Sequence, residues 1–219
     1  MILGLDISTS ITGATVLDYN GQVLYCEAWD LRNKRYRPDS GYQTFFSQEI
    51  PLVSDNSEFI NAFEISKYKK LSTKSDTVGK ISFFAKTITG LSDDVRISKR
   101  LNIPSSKLRG FEKNRVGPVD NNDYVGGNHV TALNLSATLP NILEGLDNLD
   151  IGAFIDAANI WGVDYDSSID DKSKIRSSTG VAFNLMTPIG PLSFSFAKAL
   201  TKASSDKTET FRFRLGTQF

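Results

Sequence analysis

Along most of this chain, apolar and polar residues alternate with a period of two. The C-terminus shows it most plainly. Phe211, Phe213, Leu215, Thr217 and Phe219 fall on one side, and Arg212, Arg214, Gly216 and Gln218 on the other. Successive side chains of a strand point to opposite faces in this way. The same alternation predicts strands over 42–50, 59–71, 78–91, 129–139, 151–161, 175–186, 192–200 and 210–219, with a partial strand running into Leu31-Arg32-Asn33. Before residue 29 the texture changes. Short apolar runs at 2–7, 13–17 and 22–28 read as three successive strands. The last two meet through Asn20-Gly21, a strong hairpin signal because a type I′ turn needs positive φ at both central residues. Helix-period patterning is almost absent.

Alternation alone fits a soluble sandwich as well as a membrane barrel. The connections favour the barrel. Residues 37–41, 73–77 and 187–191 make short turns, with 141–150 also on that side, while 54–58, 92–128, 162–174 and 201–209 are longer and polar. Short turns at one end and longer loops at the other mark an up-and-down outer-membrane barrel. Many of the strands are also about the length a tilted strand needs to cross the hydrocarbon core. The expected fold is therefore all-β: an antiparallel up-and-down membrane β-barrel half of about eight or nine strands, either a curved sheet or a small closed barrel. A short N-terminal β-hairpin segment precedes it. Phe59, Phe63, Leu133, Leu135, Phe194 and Phe196 are the expected lipid-facing residues, with Trp161, Tyr36, Tyr42 and Tyr68 as candidates for interfacial girdles.

The 92–128 connection stands out. Structureless loops of that length are rare in compact domains and are usually functional. Near its middle lies Lys107-Leu108-Arg109-Gly110-Phe111-Glu112, and the loop reads as the part that folds into the barrel.

Charge and composition narrow the classes. Lys plus Arg equals Asp plus Glu at 25 each, so no strong field draws the chain to nucleic acid. Residues 1–29 carry Asp6, Asp18 and Glu27 with no Lys or Arg, which gives −3 there and leaves +3 for the rest. Cys26 is the sole cysteine, which excludes an internal disulfide. No run approaches the roughly 18 apolar residues of a membrane helix. The slightly negative mean hydropathy does not weigh against a barrel, whose alternating strands hide from averages. No basic region followed by an apolar core opens the chain, so no cleavable signal peptide is expected.

With the strands in place, residues of about 29–219 resemble the C-terminal half of the barrel in the BamA family of outer-membrane assembly factors. Asp30-Leu31-Arg32-Asn33 followed by Tyr36-Arg37-Pro38-Asp39-Ser40-Gly41 is similar to that family's strand–turn–strand. Lys107–Phe111 resembles its Val/Ile-Arg-Gly-Phe loop motif, with Val116-Gly117-Pro118 and Gly126-Gly127-Asn128 following. Phe154-Ile155-Asp156 and Ile160-Trp161 resemble the strand that faces the loop, and Pro188-Ile189-Gly190-Pro191-Leu192 and the closing strand complete the likeness. The resemblance implies that Arg109, Gly110 and Phe111 form a structural loop motif and that Asp156 is its partner in the lumen. A guanidinium in a partly desolvated lumen suits a carboxylate geometrically. A second acid is usual on the preceding strand, where this chain has Ser136. Phe219, ending an alternating strand, resembles the C-terminal signal of barrel substrates.

Residues 1–29 read differently. Ile2 to Ser10, with Thr12-Gly13, resemble the opening of RuvC-type Holliday-junction resolvases of RNase H-like fold, which implies Asp6 as a ligand of catalytic magnesium. Actin-like sugar kinases open similarly. The chain turns to barrel sequence before supplying further carboxylates for such a site. The expected organisation is thus an RNase H-like fragment at 1–29 and an outer-membrane assembly barrel at 30–219. The whole is expected to be non-enzymatic and free of cofactors and of resident metal. It is read as truncated and of doubtful activity alone. The resemblance implies assembly and insertion of β-barrel proteins at the outer membrane of a Gram-negative bacterium. The partners it implies are outer-membrane lipid, unfolded barrel substrates and, through domains this sequence lacks, assembly lipoproteins; nucleic acid is not among them. The alternative is a nuclease fragment using Asp6.

Overall fold

The computed structural model describes residues 2–7, 11–17, 22–51, 58–72, 74, 76–140, 148–187 and 190–215. Among the described residues eleven antiparallel strands form one meandering sheet. They are β1 (Ile2–Ile7), β2 (Ile11–Leu17), β3 (Gln22–Asp30), β4 (Ser40–Pro51), β5 (Glu58–Lys70), β6 (Val78–Gly90), β9 (His129–Pro140), β10 (Leu149–Trp161), β11 (Arg176–Thr187), β12 (Gly190–Thr201) and β13 (Phe211–Leu215). The connection between β6 and β9 carries a short 3-10 turn, Ile97–Lys99, and a two-stranded ribbon, β7 (Val119–Asp120) with β8 (Asp123–Tyr124). Its tip residues Asn121 and Asn122 both have positive φ, which asparagine tolerates better than most residues. Among the described residues no ladder joins β1 to β13, so this is a curved sheet with two edges and not a small closed barrel.

The N-terminal strands join that sheet. β3 pairs with β4 from Gln22↔Pro51 to Asp30↔Gln43. Backbone bonds from Leu31 to Tyr42 (2.9 Å) and from Asn33 to Ser40 (3.2 Å) continue the ladder. The stretch read as two pieces, 22–28 and a partial strand near 31–33, is one strand and its extension. Gly41 allows the tight return: its φ is +95°, and an added Cβ would lie 2.1 Å from the Leu31 carbonyl oxygen.

The two faces of the sheet differ as the alternation predicts. Outward-pointing Phe63, Ile81, Phe83, Leu133, Leu135 and Ile155 are between 38% and 50% exposed. Phe59, Phe194 and Phe196 share that face, on the opposite side from Ile60 and Ser195. Tyr68 does not belong to an outer girdle. It points inward, where Lys80 lies 5.4 Å over its ring. Trp161 ends β10 beside His129, with ring centroids 5.4 Å apart.

The apolar core lies on the inner face. Ile88, Val130, Ala132, Ala158 and Ile160 of β6, β9 and β10 pack against Val95, Leu101, Ile103, Leu108, Phe111 and Val116 of the 91–128 loop. The loop thus serves as the sheet's second layer. A lone curved sheet has no partner for its concave side, so burying these loop side chains supplies the hydrophobic contribution.

Candidate functional site

Docking the loop places its polar residues within the concavity, where each polar group needs a partner. Arg109 meets Asp156 of β10. Its Nε donates to Oδ2 at 2.7 Å, its Nη2 to Oδ1 at 2.6 Å, and its backbone N–H to Oδ2 at 3.1 Å. Asn134 Nδ2 donates to Oδ1 at 2.8 Å and also to the Lys107 carbonyl at 2.8 Å. Asp156 therefore accepts four hydrogen bonds with its side chain fully buried, while the Arg109 side chain is 14% exposed. The guanidinium carbon lies 3.4 Å from the centroid of the Phe154 ring, a cation–π contact at short range. Ser178 of β11 donates to the Arg109 carbonyl at 2.5 Å.

The neighbours of Arg109 fill the remaining space. Gly110 has φ +86°, and an added Cβ would stand 3.0 Å from Ala197 Cβ and 3.3 Å from Ser178 Cβ. Phe111 is 2% exposed and bridges to Thr208 in the β12–β13 connection. Lys107 pairs with Glu64 of β5, its ammonium 5.4 Å from the centroid of the Phe84 ring. The register places Asn134 opposite Asp156, with Ser136 one rung away opposite Phe154. The polar partner on the preceding strand is thus an amide, not the serine.

Two more arginine–aspartate pairs anchor the loop, and neither is visible as a sequence motif. Arg100, whose side chain is fully buried, pairs with Asp164 in the β10–β11 connection. It also donates to Asn128 Oδ1 at 3.0 Å and to the Val95 carbonyl at 2.9 Å. Burial works against the ionised Asp164. Donation from the Val95 amide, Asn128 and Arg100 outweighs it and holds that carboxyl below its usual value. Arg176 of β11 binds Asp206 through Nε (3.0 Å) and Nη2 (3.2 Å), with side chains 3% and 0% exposed. Asp206 also accepts from the Gly117 N–H of the loop at 3.2 Å. Arg212 of β13 donates to the Ser105 carbonyl at 2.6 Å, to the Phe111 carbonyl and to Glu209. The loop backbone is sewn to the β12–β13 connection by Glu112 N to Lys207 O (3.0 Å) and Glu209 N to Gly110 O (3.1 Å).

Arg109, Gly110, Phe111 and Asp156 thus come together. Phe219 lies outside the described residues. Asp6 sits in β1 opposite Gly13, and its side chain is outside those described. Among the described residues the geometry offers a charge-clamped plug on a curved sheet.

Comparison with known proteins agrees with the fold. Residues 22–219 match the Omp85 superfamily domain. The chain is 28% identical over 141 residues to the outer membrane protein assembly factor BamA of Neisseria meningitidis serogroup B, covering 51% of this chain and 17% of that protein. It is 29% identical over 117 residues to the factor of the same name from Neorickettsia risticii, covering 52% and 16%. The crystal structure of BamA from Haemophilus ducreyi lacking POTRA domains 1-3 superposes with a TM-score of 0.81 at 25% identity, covering 92% of this chain and 42% of that one. The chain spans about a sixth of the length of these curated relatives. Nothing in the comparisons supports the resolvase-like reading of residues 1–29 or the nuclease alternative built on Asp6.

Proposed function

The chain belongs to the Omp85 superfamily, and from that premise we propose that it is an outer-membrane β-barrel protein of the BamA type, acting in the assembly and insertion of β-barrel proteins. The observation that carries this reading is the Arg109–Asp156 clamp, which holds the 91–128 loop inside the sheet. The names of the relatives, assembly factors of the outer membrane, support the same role. In this reading the outward apolar face meets outer-membrane lipid of a Gram-negative cell. Unfolded barrel chains are the substrates, and assembly lipoproteins are partners of the larger family members. The protein works without cofactor, metal or nucleic acid and catalyses no covalent reaction. Arg109, Gly110 and Phe111 act as the structural motif of the loop, Asp156 as its lumen partner, and Phe219 as a C-terminal strand signal.

Reconstitution tests this. The chain refolded into liposomes is expected to speed the insertion of an unfolded barrel protein over lipid alone, and Asp156→Asn to lose that gain. Insertion at the lipid-only rate with a folded chain would remove the assembly role. We further propose a separate origin for the N-terminal segment, expected at 1–29, of which the part before residue 22 lies outside the Omp85 match. Sequencing source DNA across the codons for Gly21 to Lys34 checks that boundary, and an unbroken read shared with relatives would dismiss it.

A further inference from the structure

Beside the docked loop the concavity stays open. A cavity of about 1560 Å³ lies between the inner faces of β3–β6 and the loop segment around Lys99–Pro104. Its wall is markedly cationic. Among the described residues Arg32, Lys34, Arg35, Lys80, Lys86 and Lys99 line it, against two acids, Asp30 and Glu64, with Lys34 paired to Asp39 nearby. Both acids are already engaged. Asp30 binds Arg32 through two bonds of 2.7 and 2.6 Å, and Glu64 binds Lys107. Among the described residues Lys80, Lys86 and Lys99 form no ion pair.

We propose that this wall is a binding site for an extended acidic polypeptide segment. The spacing of the cations selects that ligand over a compact anion. Lys80 and Lys86 point inward from one strand, roughly 20 Å apart at about 3.3 Å per residue. A phosphate is held by donors that converge on a point, and these do not converge. A chain carrying carboxylates at intervals matches a row of separated ammonium groups. Phe45, Tyr68 and Phe84 lie among them and give its apolar side chains a surface. A phosphorylated lipid fits less well, because Lys80 and Lys86 line the inner face while Ile81 and Phe83, of opposite parity on the same strand, lie on the outer one.

The test uses the full chain in zwitterionic detergent micelles and a short fluorescein-labelled polyglutamate peptide, read by anisotropy. Lys80→Gln with Lys86→Gln is expected to weaken binding about tenfold, as two partly screened ion pairs would. Lys99 is exposed on the loop, so Lys99→Gln disturbs no packing. Its own loss, about threefold, keeps the test decisive should the strand variants fail to fold. Lys198→Gln, on the outer face beside buried Ala197, is expected to change nothing. The proposal falls if Lys99→Gln and the double variant bind as the parent does, or if Lys198→Gln weakens binding equally. It also falls if pyrophosphate binds there while polyglutamate does not. Peptide binding is read without any insertion step, so its failure is separate from failure of the assembly role.

Discussion

Replacing Asp156 by asparagine tests the clamp with almost no change of volume. Oδ1 accepts from Arg109 Nη2 and Asn134 Nδ2, and Oδ2 accepts from Arg109 N and Nε. An asparagine amide must present its NH₂ to one of these pairs, and either orientation sets it against two donors. Two charge-assisted bonds are lost, and a guanidinium remains in a site that no longer neutralises it. Removing one partner of a buried pair costs about 3–5 kcal/mol. The loop is a sub-structure resting on the sheet, so the loss should appear as local undocking and not as global unfolding. At 1.4 kcal/mol per tenfold, the undocked population rises by about a hundredfold to a few thousandfold. Limited trypsinolysis of the folded protein reads this directly at Lys107 and Arg109, whose side chains are engaged by Glu64 and Asp156 while the loop is docked; Lys113 and Arg115 are exposed in the docked loop and serve as the reference sites. A second variant sharpens the test: Asp156→Asn combined with Arg109→Gln removes the stranded charge and should recover part of the protection at Lys107, a site that both variants keep. If Asp156→Asn is cleaved within about threefold of the parent rate, the clamp does not hold the loop and the reasoning fails.

Three other outcomes follow from the same geometry. Arg176→Met leaves Asp206 buried without its cation and should cost about 3–5 kcal/mol, seen as faster hydrogen exchange at the Gly117 amide that Asp206 accepts from; unchanged exchange would mean that the pair contributes nothing to the loop. Asp164 has a lowered folded pKa, so its stabilisation is complete above the unfolded value near 3.9 and is lost as pH falls through the folded value. Acidification below about pH 4 should therefore loosen the Val95–Arg100 segment in exchange experiments, and Asp164→Asn should remove that step. Leu133→Arg places a cation on the outward apolar face and should destabilise the protein in a bilayer by about 2–4 kcal/mol near the midplane; urea unfolding from vesicles measures it, and no change would place that face away from lipid.

The strands were legible because alternation is a local signal, and the loop because its length is anomalous. Faces could be assigned from the sequence, but rungs could not. Ser136 and Asn134 lie on the same side of β9, yet only the register tells which one meets Asp156. Register depends on pairing between strands and not on either strand alone. Tyr68 shows the converse limit: aromatic character fits a girdle, whereas its parity in β5 turns it inward. The pairs Arg100–Asp164 and Arg176–Asp206 join residues 64 and 30 positions apart. No periodicity links such residues; they meet only because the loop and two connections fold to the same end of the sheet.

That convergence ties the loop to the last strand. Among the described residues β13 pairs with β12 from Leu192↔Leu215 to Phe196↔Phe211. Arg212 adds to that ladder from the inner side by binding two loop carbonyls and Glu209. The Phe111–Thr208 bridge and the backbone bonds at Glu112 and Glu209 act on the connection that leads into the same strand. Releasing the loop therefore removes restraints on β13 as well, and displacing β13 strips donors from the loop carbonyls at Ser105 and Phe111. Groups that share partners in this way do not contribute additively. The docked loop and the edge strand behave as one cooperative unit, with Arg109–Asp156 fixing one end and Arg212 the other.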